Sequence, residues 1–306
     1  MDLRRLAQFA AVAQEGNVTR AAARLGIQQA PLSQQSKLLE REIGAPLFVR
    51  KPRGMELTQA GRALQREARA VFLQLDKAVA STRRAARGEE GVLRVGLTSS
   101  ACFHAFPPMA IRTFRAAYPY VTVQFEQGST PQLIEWLAGE RVDAAFIRTA
   151  LGPPEAVRVA ALVEEPMVVA LPSRHRLASA NAGRALTLRS LARETFIGYP
   201  RSAGAGLYDA IIAACMANGF SPSIGYDAPQ MVTTLSLVTA GLGISIVPHS
   251  MQRVRLDGVV YRPLSGPRQP RAQLNLATMR DAPSGSPVHA FVRLAESAVA
   301  SFAEDQ

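Results

Sequence analysis

The chain has 306 residues, 48% of them hydrophobic and 19% charged; that length supports two or three domains with buried cores, and the composition excludes a disordered polypeptide. Its formal net charge of +11 is concentrated at one end: residues 1–88 carry 16 Lys+Arg against 7 Asp+Glu, a net +9, and residues 89–306 carry 19 against 17, a net +2. A local positive field is what binding to a phosphate backbone requires, and an evenly basic chain would argue more weakly for it.

The first helix is expected to place Leu3, Leu6, Ala7, Ala10 and Ala13 on one face. Residues 17–43, NVTRAAARLGIQQAPLSQQSKLLEREI, then read as two short amphipathic helices joined by a tight glycine turn. Asn17 caps the first, Ala21, Ala22 and Leu25 form its apolar face, and Gly26 ends it in the left-handed backbone a sharp turn needs. The second starts near Gln29 and buries Leu32, Leu39 and Ile43, leaving Gln29, Ser33, Gln34 and Lys37 on the other side. Those side chains suit a DNA groove: Gln bonds adenine with both amide groups, Lys reaches guanine or phosphate, and the Pro31 ring touches a thymine methyl. Residues 44–58, GAPLFVRKPRGMELT, read as a strand over 47–50, a basic tip over 51–54 and a strand over 55–57, a wing with cations at its tip. The expected DNA contacts are Gln28, Gln29, Ala30, Pro31, Ser33, Gln34 and Lys37 on the helix and Arg50, Lys51 and Arg53 on the wing.

An alanine-rich helix at 21–23, a Gln-x-Pro-Leu-Ser segment at 29–33, a Pro-Leu-Phe-x-Arg wing at 46–50 and Leu-Thr-x-x-Gly at 57–61 make the sequence resemble the LysR-type transcriptional regulators. Two positions depart from that pattern: Gln28 stands where the family usually has a Ser or Thr cap, and Ser36 where it usually has a buried aliphatic residue. A missing cap oxygen commonly costs about 0.5–2 kcal/mol.

Residues 59–87 contain no proline and one glycine, Gly61, so they read as a single helix about 43 Å long. Leu64, Ala68, Val71, Leu75, Ala78, Thr82 and Ala85 alternate by four and three, a seam that pairs with another helix or packs against its own domain. The resemblance implies an antiparallel pair between two subunits. GEEG at 88–91 closes the helix and forms a hinge, which divides the chain into a winged helix-turn-helix domain (1–58), a linker helix (59–88) and a C-terminal domain (89–306).

From Val92 onward apolar strands alternate with helices, the signature of a parallel α/β sheet. Strands are expected at 93–97, 121–126, 144–148, 167–171, 196–199, 244–247 and 274–278, and the clearest helices at 207–218 and 288–302. The resemblance implies a two-lobed effector domain like the periplasmic solute-binding proteins, with crossings near Leu162 and Gly266, lobe I comprising 92–161 and 268–306 and lobe II 162–267.

Three strand-to-helix junctions carry short hydroxyl side chains: Thr98, Ser99 and Ser100; Ser129 and Thr130 after Gly128; and Ser202 after Pro200 and Arg201. Each of these residues taken alone is also a plain helix cap. Together, helix starts with hydroxyl donors at the carboxyl ends of strands favour an anion, a carboxylate above all, with Arg148 at its strand end as the balancing charge. Segments 196–206 and 226–248 resemble the branch of the family that responds to benzoate, muconate and their chlorinated relatives; that resemblance carries effector contacts onto Ser100, Ser129, Pro200 and Ser202, and further onto Arg148 and Thr233.

The reading is a ligand-responsive transcription factor that binds double-stranded DNA at an interrupted inverted repeat as a homodimer or tetramer, with RNA polymerase among its partners. A redox regulator switched through Cys102 and Cys215 is the alternative, although two cysteines suit a reducing compartment and exclude a disulfide scaffold. His104, His175, His249 and His289 fall at no metal-ligand spacing, and no Ser, His and Asp motif supports an enzyme, so neither metal nor cofactor is expected. The glycines of AGLGIS at 240–245 follow a helix and precede a strand, the reverse of a phosphate-cradling order. MDLRRLAQF lacks the apolar core of a signal peptide and no apolar run approaches a membrane span, so a cytoplasmic protein is expected.

Overall fold

In the computed structural model, which describes residues 1–51, 54–148, 152–179, 184–283 and 285–304, Asp2 accepts a hydrogen bond from the Arg5 amide and caps α1 (Leu3–Glu15). Two compact units follow along the chain, Met1–Arg83 and Arg84–Gln306. In the first, Asn17 Oδ1 accepts from the amides of Thr19 and Arg20 at 2.9 and 3.1 Å to start α2 (Val18–Leu25), and Gly26, at φ 67°, ends it. The helix α3 (Gln29–Ile43) begins at Gln28, whose side chain makes no capping bond, and Ser36 turns its hydroxyl back onto the Leu32 carbonyl at 3.0 Å. Phe9, Val12, Ala21, Leu32, Leu39 and Leu47 form the buried centre.

Three residues expected in that core are exposed: Leu3, Leu25 and Ile43. Each is the first or last residue of its helix, beyond the zone where all three helices overlap. The centre of α1 is filled by Phe9 and Val12 rather than by the alanine stripe, because the larger side chains span the gap between helices.

The wing pairs β1 (Phe48–Lys51) with β2 (Gly54–Leu57) in antiparallel register. Glu40 Oε1 accepts the amides of Leu47 and Phe48, and the Met55 amide donates to the Gly16 carbonyl at 2.8 Å, so both strands are tied to the helices. The Leu-Thr-x-x-Gly run has a steric reason. Thr58 Oγ1 accepts the Gly61 amide and donates to the Pro46 carbonyl, and a Cβ at Gly61 would lie 2.1 Å from the Leu47 carbonyl oxygen. From there α4 (Gln59–Ala86) runs for 28 residues, about 42 Å. Beyond the buried Ala68 it leaves Val71, Leu75 and Val79 exposed.

The second unit contains β3 (Glu90–Leu97), α5 (Phe106–Ala117), β4 (Tyr120–Gln127), α6 (Thr130–Ala138), β5 (Ala144–Arg148), β6 (Val157–Pro172), α7 (Arg176–Ser179), β7 (Leu186–Thr187), β8 (Thr195–Gly198), α8 (Arg201–Ala217), β9 (Ser223–Asp227), α9 (Met231–Thr239), β10 (Ser245–Pro248), β11 (Val259–Ser265), β12 (Arg271–Met279) and α10 (Pro287–Glu304). The main sheet has the order β4-β3-β5-β12-β6-β11-β7, with β10 also on β6, while β8 and β9 pair separately. It is mixed rather than parallel: β3, β4 and β5 are parallel, but β12 runs antiparallel to both β5 and β6. The reason lies in the lobes. The first ten residues of β6 pair with β12 and its last six with β10 and β11, so β6 carries the chain out of one lobe and β12 returns it.

That layout puts the outward crossing at Pro166, and the return between Ser265 and Arg271. Lobe I packs Phe106, Phe114, Phe146 and Phe291 on one sheet face and Leu133 and Leu137 of α6 on the other. Lobe II is built around Val169, Leu171, Phe196, Leu235 and Val247. Sequence periodicity missed β9, which is exposed along its length, and β11, where Arg262 and Pro263 interrupt the apolar run. No helix among the described residues is long and apolar enough to cross a membrane.

Candidate DNA interface and interlobe cleft

On α3, Gln28, Gln29, Ala30, Pro31, Gln34 and Lys37 are exposed and Ser33 is half-buried, while Leu32 and Leu39 face inward. One face is therefore free to enter a groove, and it carries amides, a hydroxyl and an ammonium group. The Gln29 side chain is held in place by Thr19, whose Oγ1 donates to its Oε1 at 3.1 Å. On the wing Arg50 and Lys51 are exposed, with Lys51 Nζ 3.8 Å from the Glu56 carboxylate; Arg53 lies outside the described residues. Arg5 near the N-terminus of α1 is paired with Glu42 at 3.2 Å. A concavity of about 510 Å³ beside the start of α3 is lined by Arg4, Arg5, Gln28 and Pro31.

In the second unit, the candidate effector residues separate into three places. Ser129 caps α6 through a reciprocal box: its hydroxyl accepts the Gln132 amide at 3.4 Å, and Gln132 Oε1 accepts the Ser129 amide at 2.9 Å. Thr130 beside it is buried. Across the cleft, Pro200 precedes α8 with no side-chain cap, Ser202 is exposed in its first turn, and the backbone breaks from helical geometry at Gly204. A Cβ at Gly204 would meet the Tyr199 ring at 2.4 Å, so that break lets the helix start approach the aromatic side chain.

The second place is a latch. Ser99 Oγ, on lobe I, accepts the Met231 amide at the start of α9, on lobe II, at 3.1 Å. Gln230, the natural cap of α9, contributes no side-chain bond, so a hydroxyl from the opposite lobe satisfies an amide the helix itself leaves free. Thr233 is exposed on the same helix turn.

The third place corrects the expectation for Arg148. Its side chain is 2% exposed and points to the sheet face opposite α6, where Nη2 donates to Glu165 Oε1 at 2.7 Å and Nε to Ser100 Oγ at 3.0 Å. Glu165 also accepts from the Ser250 amide at 2.6 Å and the Ser250 hydroxyl at 3.1 Å. The guanidinium charge is thus met by a protein carboxylate rather than held open for a ligand. His104 Nε2 stands 3.9 Å from Glu165, and Nδ1 accepts the Phe106 amide. Burial pushes the His104 pKa down to about 4, against the attraction of the Glu165 carboxylate. This network joins β5, β6 and the turn after β10, the segments at which the lobes meet.

The pKa of neither thiol is lowered. Burial raises the Cys215 pKa to about 11, and partial desolvation raises that of Cys102, which is exposed at the surface and whose Sγ donates to the Thr98 carbonyl. A reactive cysteine needs the opposite shift.

The helix-turn-helix unit and the two-lobed unit each match a family model: "Bacterial regulatory helix-turn-helix protein, lysR family" over residues 3–62, and "LysR substrate binding domain" over residues 86–300. Among curated relatives, the HTH-type transcriptional regulator BudR of Raoultella terrigena is 38% identical over 264 residues, 86% of this chain and 90% of the relative. Among solved structures, full-length CbnR complexed with target DNA aligns with a TM-score of 0.81 at 26% identity, covering 98% of this chain and 100% of that one. The BenM effector-binding domain with its effector benzoate aligns with a TM-score of 0.60 at 25% identity, covering 70% of this chain and 94% of that domain.

Proposed function

This chain belongs to the LysR family of transcriptional regulators, a DNA-binding regulator with an effector-binding domain, and we propose that a small carboxylate, aromatic or dicarboxylic, switches it by entering between the lobes. The observation that carries this reading is the Ser99–Met231 latch. One neutral hydroxyl holds the start of α9, a position where a carboxylate oxygen would be held more strongly by the same amide and by the helix dipole. Ser129 and Ser202, at the starts of α6 and α8, supply further donors from either side of the cleft. Ser100 and Arg148 act behind them: Arg148 binds Ser100, Glu165 and the Ala272 carbonyl, so a change at the cleft moves a charge pair at the crossing strands. The lobe angle then has two settings, and the ligand biases the one that it binds better.

Gln28 to Lys37 on α3 read the half-site and Arg50, Lys51 and Arg53 on the wing hold the phosphates. The exposed seam of α4 at Val71 and Leu75 joins two subunits, which places two recognition helices on an interrupted inverted repeat; a tetramer and contact with RNA polymerase complete the reading. Isothermal titration of the full-length chain with benzoate, muconate and short aliphatic acids tests the pocket. Ser129→Ala and Ser202→Ala each remove a hydrogen bond to a charged group, worth roughly 1.5–3 kcal/mol, and should weaken binding about 10-fold to 100-fold with DNA affinity unchanged in the absence of ligand. Variants that bind every acid as the parent does would overturn the carboxylate site.

A further inference from the structure

Two buried polar side chains of the second unit lack a hydrogen-bond partner among the described residues: Thr98, 3% exposed, at Oγ1, and Asn275, 5% exposed, at Nδ2. Strand register puts both on one face. Asn275 of β12 stands opposite Ile147 of β5. The register of β3 on β5, Gly96 with Ala145 and Leu97 with Phe146, continues to Thr98 opposite Ile147, where the Thr98 amide donates to the Phe146 carbonyl at 3.0 Å. Side chains in a row across neighbouring strands share a face, and Ile147 packs in the cluster with Leu133 and Leu137 of α6. Thr98, Ile147 and Asn275 therefore make a polar, apolar, polar row on the α6 side, the face opposite the Arg148 network.

Both α6 and α8 lie against β12 and against each other, so this row lies on the sheet face that the two helices cover, and the starts of those helices carry Ser129 and Ser202. The register of β12 on β6 slips between Leu274 and Asn275, with Leu162 as the extra residue; bulges of this kind re-aim a side chain beside a functional site. An unpaired buried donor destabilises the unliganded fold. It is tolerated where a ligand completes the bond.

We propose that Asn275 and Thr98 are specificity-determining residues of the effector site, selecting acids that carry a second oxygen function away from the carboxylate. The start of α6 and the neighbouring Thr98 hydroxyl meet the carboxylate, Ile147 meets the carbon skeleton, and the Asn275 amide N–H, at the other end of the row, meets the second oxygen, be it hydroxyl, carbonyl or carboxylate. Neighbouring strands are about 4.8 Å apart, which sets Thr98 and Asn275 about 10 Å apart along the row and suits a skeleton of roughly four to seven carbons. The assignment rests on the carboxylate reading of the cleft.

The test is calorimetric titration of the full-length chain with matched pairs of acids: pentanoate against 5-hydroxypentanoate and glutarate, and benzoate against 4-hydroxybenzoate. In at least one pair the oxygenated member should bind about tenfold tighter or more. Asn275→Leu, similar in shape, should erase that preference, leave the unsubstituted acid within about twofold, and raise the melting temperature of the unliganded protein by about 2–4 °C, since an unpaired donor is gone. Ser129→Ala should weaken both members of the pair alike. Equal binding within every pair, or an Asn275→Leu variant that keeps the preference, overturns the Asn275 assignment and leaves the carboxylate site standing. A variant with a lower melting temperature and an unchanged ranking overturns it as well, because the amide is then held by buried water. Absence of binding by any acid overturns both readings. Should Asn275→Leu fail to fold, Asn275→Ala is read by the same binding criteria.

Discussion

Replacing Glu165 by Gln keeps the shape of the side chain and removes the only acidic partner drawn to Arg148 among the described residues. In the folded chain, the guanidinium is 2% exposed and its Nη2 lies 2.7 Å from the carboxylate, while the same carboxylate accepts the amide and hydroxyl of Ser250. Burial already lowers the Arg148 pKa, with the Glu165 charge opposing that shift. Removing the carboxylate leaves a buried cation without compensation, which costs about 3–5 kcal/mol. For a unit of this size each kcal/mol is worth about 2–4 °C, so the melting temperature of the effector domain should fall by about 6–20 °C. Calorimetric unfolding of the full-length chain measures it. The pairing itself is tested by a double-mutant cycle: Arg148→Met with Glu165→Met should recover most of the loss, because two apolar side chains of similar length replace the buried pair. A loss below about 1 kcal/mol for Glu165→Gln, or strictly additive single and double variants, would refute the role given to this pair.

At the DNA interface, Gln29→Ala should relax base preference in the half-site, whereas Lys51→Ala should weaken binding to all sequences and reduce the salt slope by about 1; titrations at several salt concentrations separate the two. Glu placed at Leu75, 42% exposed in the single chain, should shift sedimentation toward the monomer and lower operator affinity, because a charge would be buried against the partner helix; an unchanged profile removes the seam from the interface. The His104 pKa lies below its ordinary value of 6.5, at about 4, so the unfolded chain binds the proton more readily than the folded one. Stability should therefore be complete above pH 6.5 and decline as pH falls toward 4, by up to about 3 kcal/mol. His104→Gln should flatten that decline, as read from denaturant midpoints across the pH range.

Local chemistry determined the N-terminal unit from its sequence. A capping Asn17, a left-handed Gly26, the heptad spacing of α4 and the Thr58–Gly61 pair each act within a few residues, so their pattern is written in adjacent letters. The strands at 144–148 and 274–278 were legible for the same reason, as apolar runs bounded by turns. What lay beyond reach was pairing between distant segments. Whether Arg148 faces a ligand or Glu165, seventeen residues on, depends on which side of β5 it occupies and on the return of β12 antiparallel beside it. Ser99 reaches a helix that starts 132 residues later, and Thr98 and Asn275 share a sheet face only because β5 lies between their strands. Side-chain type decided what each residue could bond, but strand order and register decided which partner it met, since a hydrogen bond or ion pair acts over about 3 Å and the sequence records no distance between residues far apart in the chain.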